Sequence, residues 1–583
     1  MNKKILRLIS LLLSVCLLSG CGGMPGFLLG PATFSREDYA ARELCRFSEM
    51  PYERPDLDAM RDQVEQIRQA LDGHASYRKV TGLLDEFHAM GNTANTMATI
   101  ANIRNCQNLT DSFYAEEYAW CSAALAELSQ IVEELYMLCG RSRLAGRLER
   151  NYFWEGFLEE YGPESERVYT DEYVALAAQE SELVAEYRSL VANPVIEIDG
   201  EEWFFSDWVY NAADNETLMR GYDAYYDKYN PVLGALYIRL VKLRREMAAT
   251  LGYNSYAEMQ FELNLERDYS VAESDRFIDD VREILVPVFQ RVQAAGVWDR
   301  TWFSRVSEQD LWDALEATAA GLGEETQEAY AFMTRYELCD ISVSDDKPSM
   351  SFQTYLKDYE APYLFASPRG DTQDILTVTH EFGHYVESFS SYDYYRSLDL
   401  AECFSQAMQY LALEPMRAAF ADEEIENLRL LNLLDSLETY VQQCSCAAFE
   451  REAFSMEEPS VEALNALSLK LAAEYGYYDG VNQNYYSKSW IDTPHFFEQP
   501  FYVISYPASA GVALEIYERE EEKPGAGYEM YQQLIDAEAS GIMGAATEAG
   551  LHDPLSRERV QEIARFFEQK LLGYSSPPLA VAV

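Results

Sequence analysis

The chain has 583 residues, 48% of them apolar and 13% aromatic, enough material for sizeable cores, so wholesale disorder is excluded. Forty-six basic against 98 acidic residues give a formal net charge of −52. Such a surface repels phosphate backbones and anionic lipid alike, which removes nucleic acid from the expected partners.

The first residues read as a targeting segment. Lys3, Lys4 and Arg7 make a basic start, and Ile5 to Leu18 is an apolar run too short for a comfortable membrane span. It closes in Leu18-Ser19-Gly20-Cys21, which resembles the bacterial lipobox. That resemblance implies loss of residues 1–20, diacylation of the Cys21 thiol, and an extracytoplasmic protein anchored by lipid to a bacterial cell membrane. An ordinary secreted protein or an uncleaved anchor helix are the competing readings. Removing the leader takes away three positive charges and leaves −55. Residues 21–45 are then a tether. Eight cysteines remain beyond Cys21, an even number that permits disulfides in an exported protein, with buried free thiols as the equal alternative. There is no CxxC pair, which argues against a thiolate zinc site.

Apolar residues at three- and four-residue spacing predict helices over Leu57 to Leu71, Val80 to Cys106 and Tyr118 to Cys139. Val195-Ile196-Glu197-Ile198 followed by Asp199-Gly200 predicts a strand and a hairpin turn. Helical periodicity resumes at Leu218 and runs towards Ala319, with breaks expected at Asn230-Pro231 and Gly252. Between 341 and 370, Pro348, Pro362, Pro368 and Gly370 punctuate short β-prone runs such as Pro362-Tyr363-Leu364-Phe365. Helices then return towards the C-terminus. The expected fold class is mainly α-helical, with a boundary near residue 195 between an N-terminal helical region, 46–195, and the region 196–583.

Chemistry enters at DTQDILTVTHEFGHYVESFSS, residues 371–391. Asp371 is suited to cap a helix whose third residue is Asp374. On that helix His380 and His384 lie four apart, so both imidazoles share one face and can converge on one metal ion. Glu381 beside them is placed to take a proton from water. Only six histidines occur in the whole chain, so two at this spacing are not casual. A catalytic zinc takes three protein ligands and keeps an open position. Glu402, in Asp399-Leu400-Ala401-Glu402-Cys403-Phe404-Ser405-Gln406, is the choice for the third, because a second helix can present a carboxylate from the side. Glu387, one turn beyond His384, is its competitor. Further on, PHFFEQPFYVISYP places His495, Tyr502 and Tyr506 in an aromatic, loop-like stretch before a helix near Pro507. These side chains have the chemistry of oxyanion donors.

Together the three segments resemble the thimet-oligopeptidase and oligoendopeptidase F family of zinc metallopeptidases. APYLFASPRGDTQDILTVTHEFGH is similar to that family's strand, turn and active-site helix, DLAECFSQ to its second-helix motif, and PHFFEQPFYVISY to its His- and Tyr-bearing loop. Weaker likeness reaches back through LGYNSYAEMQFELNLERDYS. The resemblance implies a two-lobed helical clamp around a deep channel, with a small β element beside the active-site helix. It makes 196–583 the catalytic region and implies one Zn²⁺ per chain held by His380, His384 and Glu402, with Glu381 as general base. His495, Tyr502 and Tyr506 would meet substrate and transition state, and Asp399 would orient a ligand histidine. The expected substrates are short unfolded peptides cut at internal bonds. A catalytically silent surface peptide-binding lipoprotein and an aminopeptidase with the same zinc site are the alternatives. Two features depart from the family pattern: a short connection from His384 to Asp399, and Lys347-Pro348-Ser349-Met350-Ser351-Phe352 where a glycine-rich segment is usual.

Overall fold

Asp56, Ser76 and Asp111 each open a long helix by accepting backbone N–H groups of its first turn: Ala59, Lys79, and Phe113 with Tyr114. The computed structural model describes residues 42–154, 156–163, 171–391 and 396–573. The leader and the Cys21 lipidation expected from the sequence, and the C-terminal tail, lie outside these residues. The described residues form two compact units, one built from 42–163 and 305–391, the other from 171–304 and 396–573. Both are mainly helical with one small sheet each, the fold class expected from the sequence.

In the first unit the helices Leu57–Asp72, Tyr77–Gln107 and Ser112–Gly140 pack on one another around Met60, Val64, Ile67, Leu84, Phe87 and Leu135. All three cover the sequence-predicted spans. Burial of each such apolar side chain contributes about 1.5–3 kcal/mol, which outweighs modest helix propensity. The helices Glu308–Leu322 and Glu324–Arg335 lead to a three-stranded sheet. Its centre is Ala361–Phe365, parallel to Cys339–Asp340 and antiparallel to Phe352–Leu356. Every residue of the central strand is buried, as a strand covered on both faces must be. The segment standing where a glycine-rich stretch is usual runs into the strand Phe352–Leu356. Its Lys347 ammonium is buried, donating to Asp340 Oδ1 (2.6 Å) and to the Ser342 and Ala366 carbonyls. The helix Gln373–Ser390 packs on this sheet and on the two preceding helices.

In the second unit the predicted strand Val195–Ile198 pairs with Glu201–Phe204 through Asp199 (φ 57°) and Gly200 (φ 81°). Positive φ at both central residues is the two-residue hairpin turn that Asp-Gly favours. The expected break at Asn230-Pro231 does not occur: one helix runs through it, Asn215–Thr250. The reason is tertiary. Tyr225 and Tyr226 before the proline and Leu233 and Tyr237 after it are buried, and Asn230 and Asn465 exchange two amide hydrogen bonds, 3.0 and 2.8 Å. The break at Gly252 is real, and Gly252 takes φ 81° just past the helix end. The helices Leu398–Leu411, Asp422–Ser455 and Ser505–Glu522 complete the core.

The eight cysteines from Cys45 to Cys446 are free thiols here, five of them buried. No described helix is long and apolar enough to cross a membrane.

If the Asn230–Asn465 pair is what carries the chain through Pro231, Asn465→Ala takes the amide partner from buried Asn230 and lowers stability by about 1–3 kcal/mol. Denaturant unfolding of the wild type and of Asn230→Ala, Asn465→Ala and the double variant checks it. The double variant should be less destabilised than the sum of the singles.

Candidate active site and metal ligands

The active-site helix is anchored by a carboxylate that reaches backward. Asp374 accepts the backbone N–H groups of Arg369 (3.0 Å), Gly370 (2.6 Å) and Asp371 (3.0 Å), which bends the chain from the central strand into the helix. Gly370, at φ 86°, supplies the left-handed residue that this turn requires. Burial raises the Asp374 carboxyl pKa, and the three N–H donors oppose that shift. The sequence reading put Asp371 at the cap. The helix instead begins at Gln373, with Thr372 at the cap position, and the Asp371 carboxylate accepts the Gln373 N–H at 2.9 Å. Thr372 makes no side-chain cap bond, so Asp371, one residue outside the assigned end, still supplies the capping acceptor, while Asp374 holds the three N–H groups before the helix.

Along this helix His380, Glu381 and His384 are all buried. The two imidazoles have centroids 5.0 Å apart and planes at 82°, so the i, i+4 spacing does bring them to one face. Glu387, the rival third ligand, accepts the Ser388 hydroxyl at 3.2 Å and the Ser391 hydroxyl more closely still.

Glu402, Asp399, His495, Tyr502 and Tyr506 belong to the second unit. Ser397 caps the helix Leu398–Leu411, and Glu402 on it is fully buried. Its carboxylate accepts the Ser405 hydroxyl at 3.1 Å and the Tyr502 hydroxyl at 3.3 Å. His495 lies on a short helix, Pro494–Glu498, rather than in the expected loop. Pro494 opens that helix, where its missing N–H costs nothing. The His495 ring stacks on Tyr502 with centroids 5.3 Å apart, and its Nε2 lies 3.4 Å from the Tyr506 hydroxyl. Burial pushes the His495 imidazole down to about 4 against the opposing pull of Glu402, so the ring is neutral at physiological pH. The final helix of the motif starts at Ser505, two residues earlier than read from the sequence, and Tyr506 sits in its first turn.

Sequence reasoning missed Arg267. Its fully buried guanidinium pairs with Asp399 at 3.1 Å and donates to the Ser505 hydroxyl at 2.9 Å. It thereby ties the helix of Glu402 to the segment of Tyr502. The Asp399 carboxylate, read as a histidine orienter, is engaged by this arginine. No periodicity marks Arg267, which sits between helices; its only signal is the short resemblance over ELNLERDYS.

A mainly helical body carrying a buried HExxH helix defines a helical metallopeptidase, and comparison with known proteins agrees. The peptidase M3 N-terminal domain matches residues 47–158 and peptidase family M3 matches residues 325–537. The two matches span more than half of the chain, which belongs to peptidase family M3. No curated protein matches it in sequence. Among solved structures it is similar to Pz peptidase A with an inhibitor, at 21% identity and TM-score 0.77, covering 91% of this chain and 100% of that one. A Bacillus anthracis protein described as oligoendopeptidase F gives 20% identity and TM-score 0.74 over 92% and 99% of the two chains. Oligoendopeptidase F of Enterococcus faecium gives 18% and 0.59 over 89% and 96%. At these identities the likeness shows a shared fold.

Breaking the Arg267–Asp399 pair from one side should cost about 3–5 kcal/mol, because it strands a buried charge. Arg267→Met and Asp399→Leu are each expected to be strongly destabilised in urea unfolding, and the double variant much less so. Additive losses would mean that the two side chains are not coupled.

Proposed function

We propose that the protein is a zinc-dependent oligopeptidase that hydrolyses internal bonds of short unfolded peptides outside the cytoplasmic membrane, tethered by a lipid on Cys21. The observation that carries the reading is the buried helix with His380 and His384 on one face and Glu381 between them. His380 and His384 of the first unit, with Glu402 of the second as the third ligand read from the sequence, are the proposed metal ligands, and each is buried. Two imidazoles and one carboxylate, with no thiolate, fit the three-ligand set of a catalytic zinc. One Zn²⁺ per chain, when bound there, supplies Lewis acidity that polarises the scissile carbonyl and acidifies water.

The rest is done by the chain's own groups. Glu381 takes the proton of the attacking water on its carboxylate and delivers it to the leaving amine nitrogen. His495, kept neutral by burial, or Tyr506, which shares its Nε2, donates a hydrogen bond to the oxygen that gains charge, and Tyr502, stacked on His495, lines the same site. The serine and tyrosine hydroxyls on Glu402 hold its carboxylate in one orientation. The names of the similar structures, an oligoendopeptidase among them, support internal cleavage of short peptides. Lys3, Lys4, Arg7, the apolar run to Leu18 and the Leu-Ser-Gly-Cys ending support export and lipidation.

The decisive experiment measures zinc stoichiometry and hydrolysis of quenched peptides, with free and with blocked N-termini, on the same samples. Cleavage of blocked peptides at internal bonds is expected. Cleavage of free N-termini only would make the protein an aminopeptidase, and binding without cleavage would make it a peptide-binding lipoprotein. Glu381→Gln should retain zinc and lose roughly 10²–10⁴-fold in turnover. Glu402→Ala should lose zinc and activity together, whereas Glu387→Ala should keep both; the reverse result would overturn the ligand set.

Anchoring is tested separately. Cys21→Ser should appear in the soluble fraction or accumulate unprocessed. Membrane fractionation and processing identical to the wild type would refute the lipid anchor.

A further inference from the structure

Phe501, immediately before Tyr502, holds φ at 64°, the left-handed region that a bulky aromatic residue rarely occupies. Its ring meets Phe454 at 5.0 Å and Tyr256 and Phe261 at 6.3 Å between centroids, and borders a cavity of about 390 Å³ lined also by Ile278 and Ile504. The backbone is gripped as well. Glu450, fully buried on the helix Asp422–Ser455, accepts the Phe501 N–H at 2.8 Å. Its other oxygen, Oε2, is buried and has no hydrogen-bond partner.

Two buried guanidinium groups flank this carboxylate and act on the same segment. Arg244 donates to the Phe496 and Phe497 carbonyls beside His495, and Arg267 donates to the Ser505 hydroxyl and reaches the Tyr502 carbonyl at 3.5 Å. Burial raises the Glu450 carboxyl to about 8, with the N–H of Phe501 and both arginines opposing. A carboxyl held at that cost in a dry interior, with one oxygen on a single strained amide, is placed for that amide.

We propose that Glu450 is a positioning residue: by accepting the Phe501 N–H it holds the left-handed turn that delivers the Tyr502 hydroxyl to Glu402. The catalytic consequence rests on the peptidase reading above; the geometric claim does not. The acceptor oxygen is what matters, so Glu450→Gln, which keeps a carbonyl oxygen at that point, should preserve the turn, and Glu450→Leu should lose it. Glycine adopts positive φ without help. The effect of Glu450→Leu should therefore vanish in a Phe501→Gly background, whatever Phe501→Gly itself costs through its missing ring.

The test places 3-fluorotyrosine at position 502 and reads its fluorine resonance alongside kcat, KM and zinc stoichiometry. Glu450→Leu should shift and broaden the resonance and lower kcat about tenfold, with KM and bound zinc held. Glu450→Gln should restore both signals, and the double variant should match Phe501→Gly alone. If Glu450→Leu does not accumulate as folded protein, phenyllactic acid at position 501 removes the same N–H and should give the same changes. An unmoved resonance, or a Glu450→Leu effect of equal size in both backgrounds, overturns the proposal. A wild type with no peptidase activity but a Glu450-dependent resonance would instead refute the functional reading and leave the positioning role standing.

Discussion

Arg267 carries the tension on which the second unit's site depends. Its guanidinium has left water completely, and it recovers the lost hydration from Asp399, three residues before Glu402, and from Ser505, three residues after Tyr502. One cation thus fixes the spacing between the helix that bears the proposed third ligand and the segment that bears the aromatic donors. Remove it, and Glu402 and Tyr502 sit on elements with no shared charge to hold them in register.

The same device recurs wherever a functional side chain has to be aimed. Asp374 collects three N–H groups to start the HExxH helix, and Arg244 caps two carbonyls beside His495. Both buried charges bind backbone, and Arg244 also pairs with Glu180 at 2.7 Å. Backbone groups cannot rotate away, so such contacts fix where a chain segment lies and not only which side chains touch. The arrangement costs desolvation free energy at every step, and only dense packing around it offsets that cost.

Legibility from sequence follows the range of the interaction. His380, Glu381 and His384 were readable because an i, i+4 relation on a helix is local and chemically rare. The hairpin at Asp199-Gly200 was readable for the same reason. Asn230-Pro231 misled, because a partner 235 positions away, Asn465, overrides the local rule. Asp371 was misplaced by a single residue: it accepts the Gln373 N–H, but the cap position falls on Thr372. Glu450 carried no signal, and Arg267 only the short resemblance over ELNLERDYS. Arg267 meets Asp399 across 132 positions, Glu450 meets Phe501 across 51, and neither shows any local pattern. Membership of the M3 family was legible from three short motifs because each keeps its chemistry within a few residues, whereas the supports of those motifs are dispersed.

The pairing of His495 with Tyr506 has a consequence for how many donors the site can offer. A neutral imidazole carries one N–H, and the tyrosine carries one O–H. Their contact through Nε2 consumes one of these two hydrogens, whichever way it points. If the ring donates from Nε2, the tyrosine keeps its O–H for another acceptor. If the tyrosine donates, the ring proton lies on Nδ1, which is buried with no hydrogen-bond partner. Burial that keeps the ring neutral therefore limits the pair, beyond its own contact, to one hydrogen in either tautomer. A charged imidazolium would leave two but would repay that gain with a buried positive charge. The pair can thus give one hydrogen bond beyond its own contact, while Tyr502, stacked on the same ring, donates its hydroxyl to Glu402.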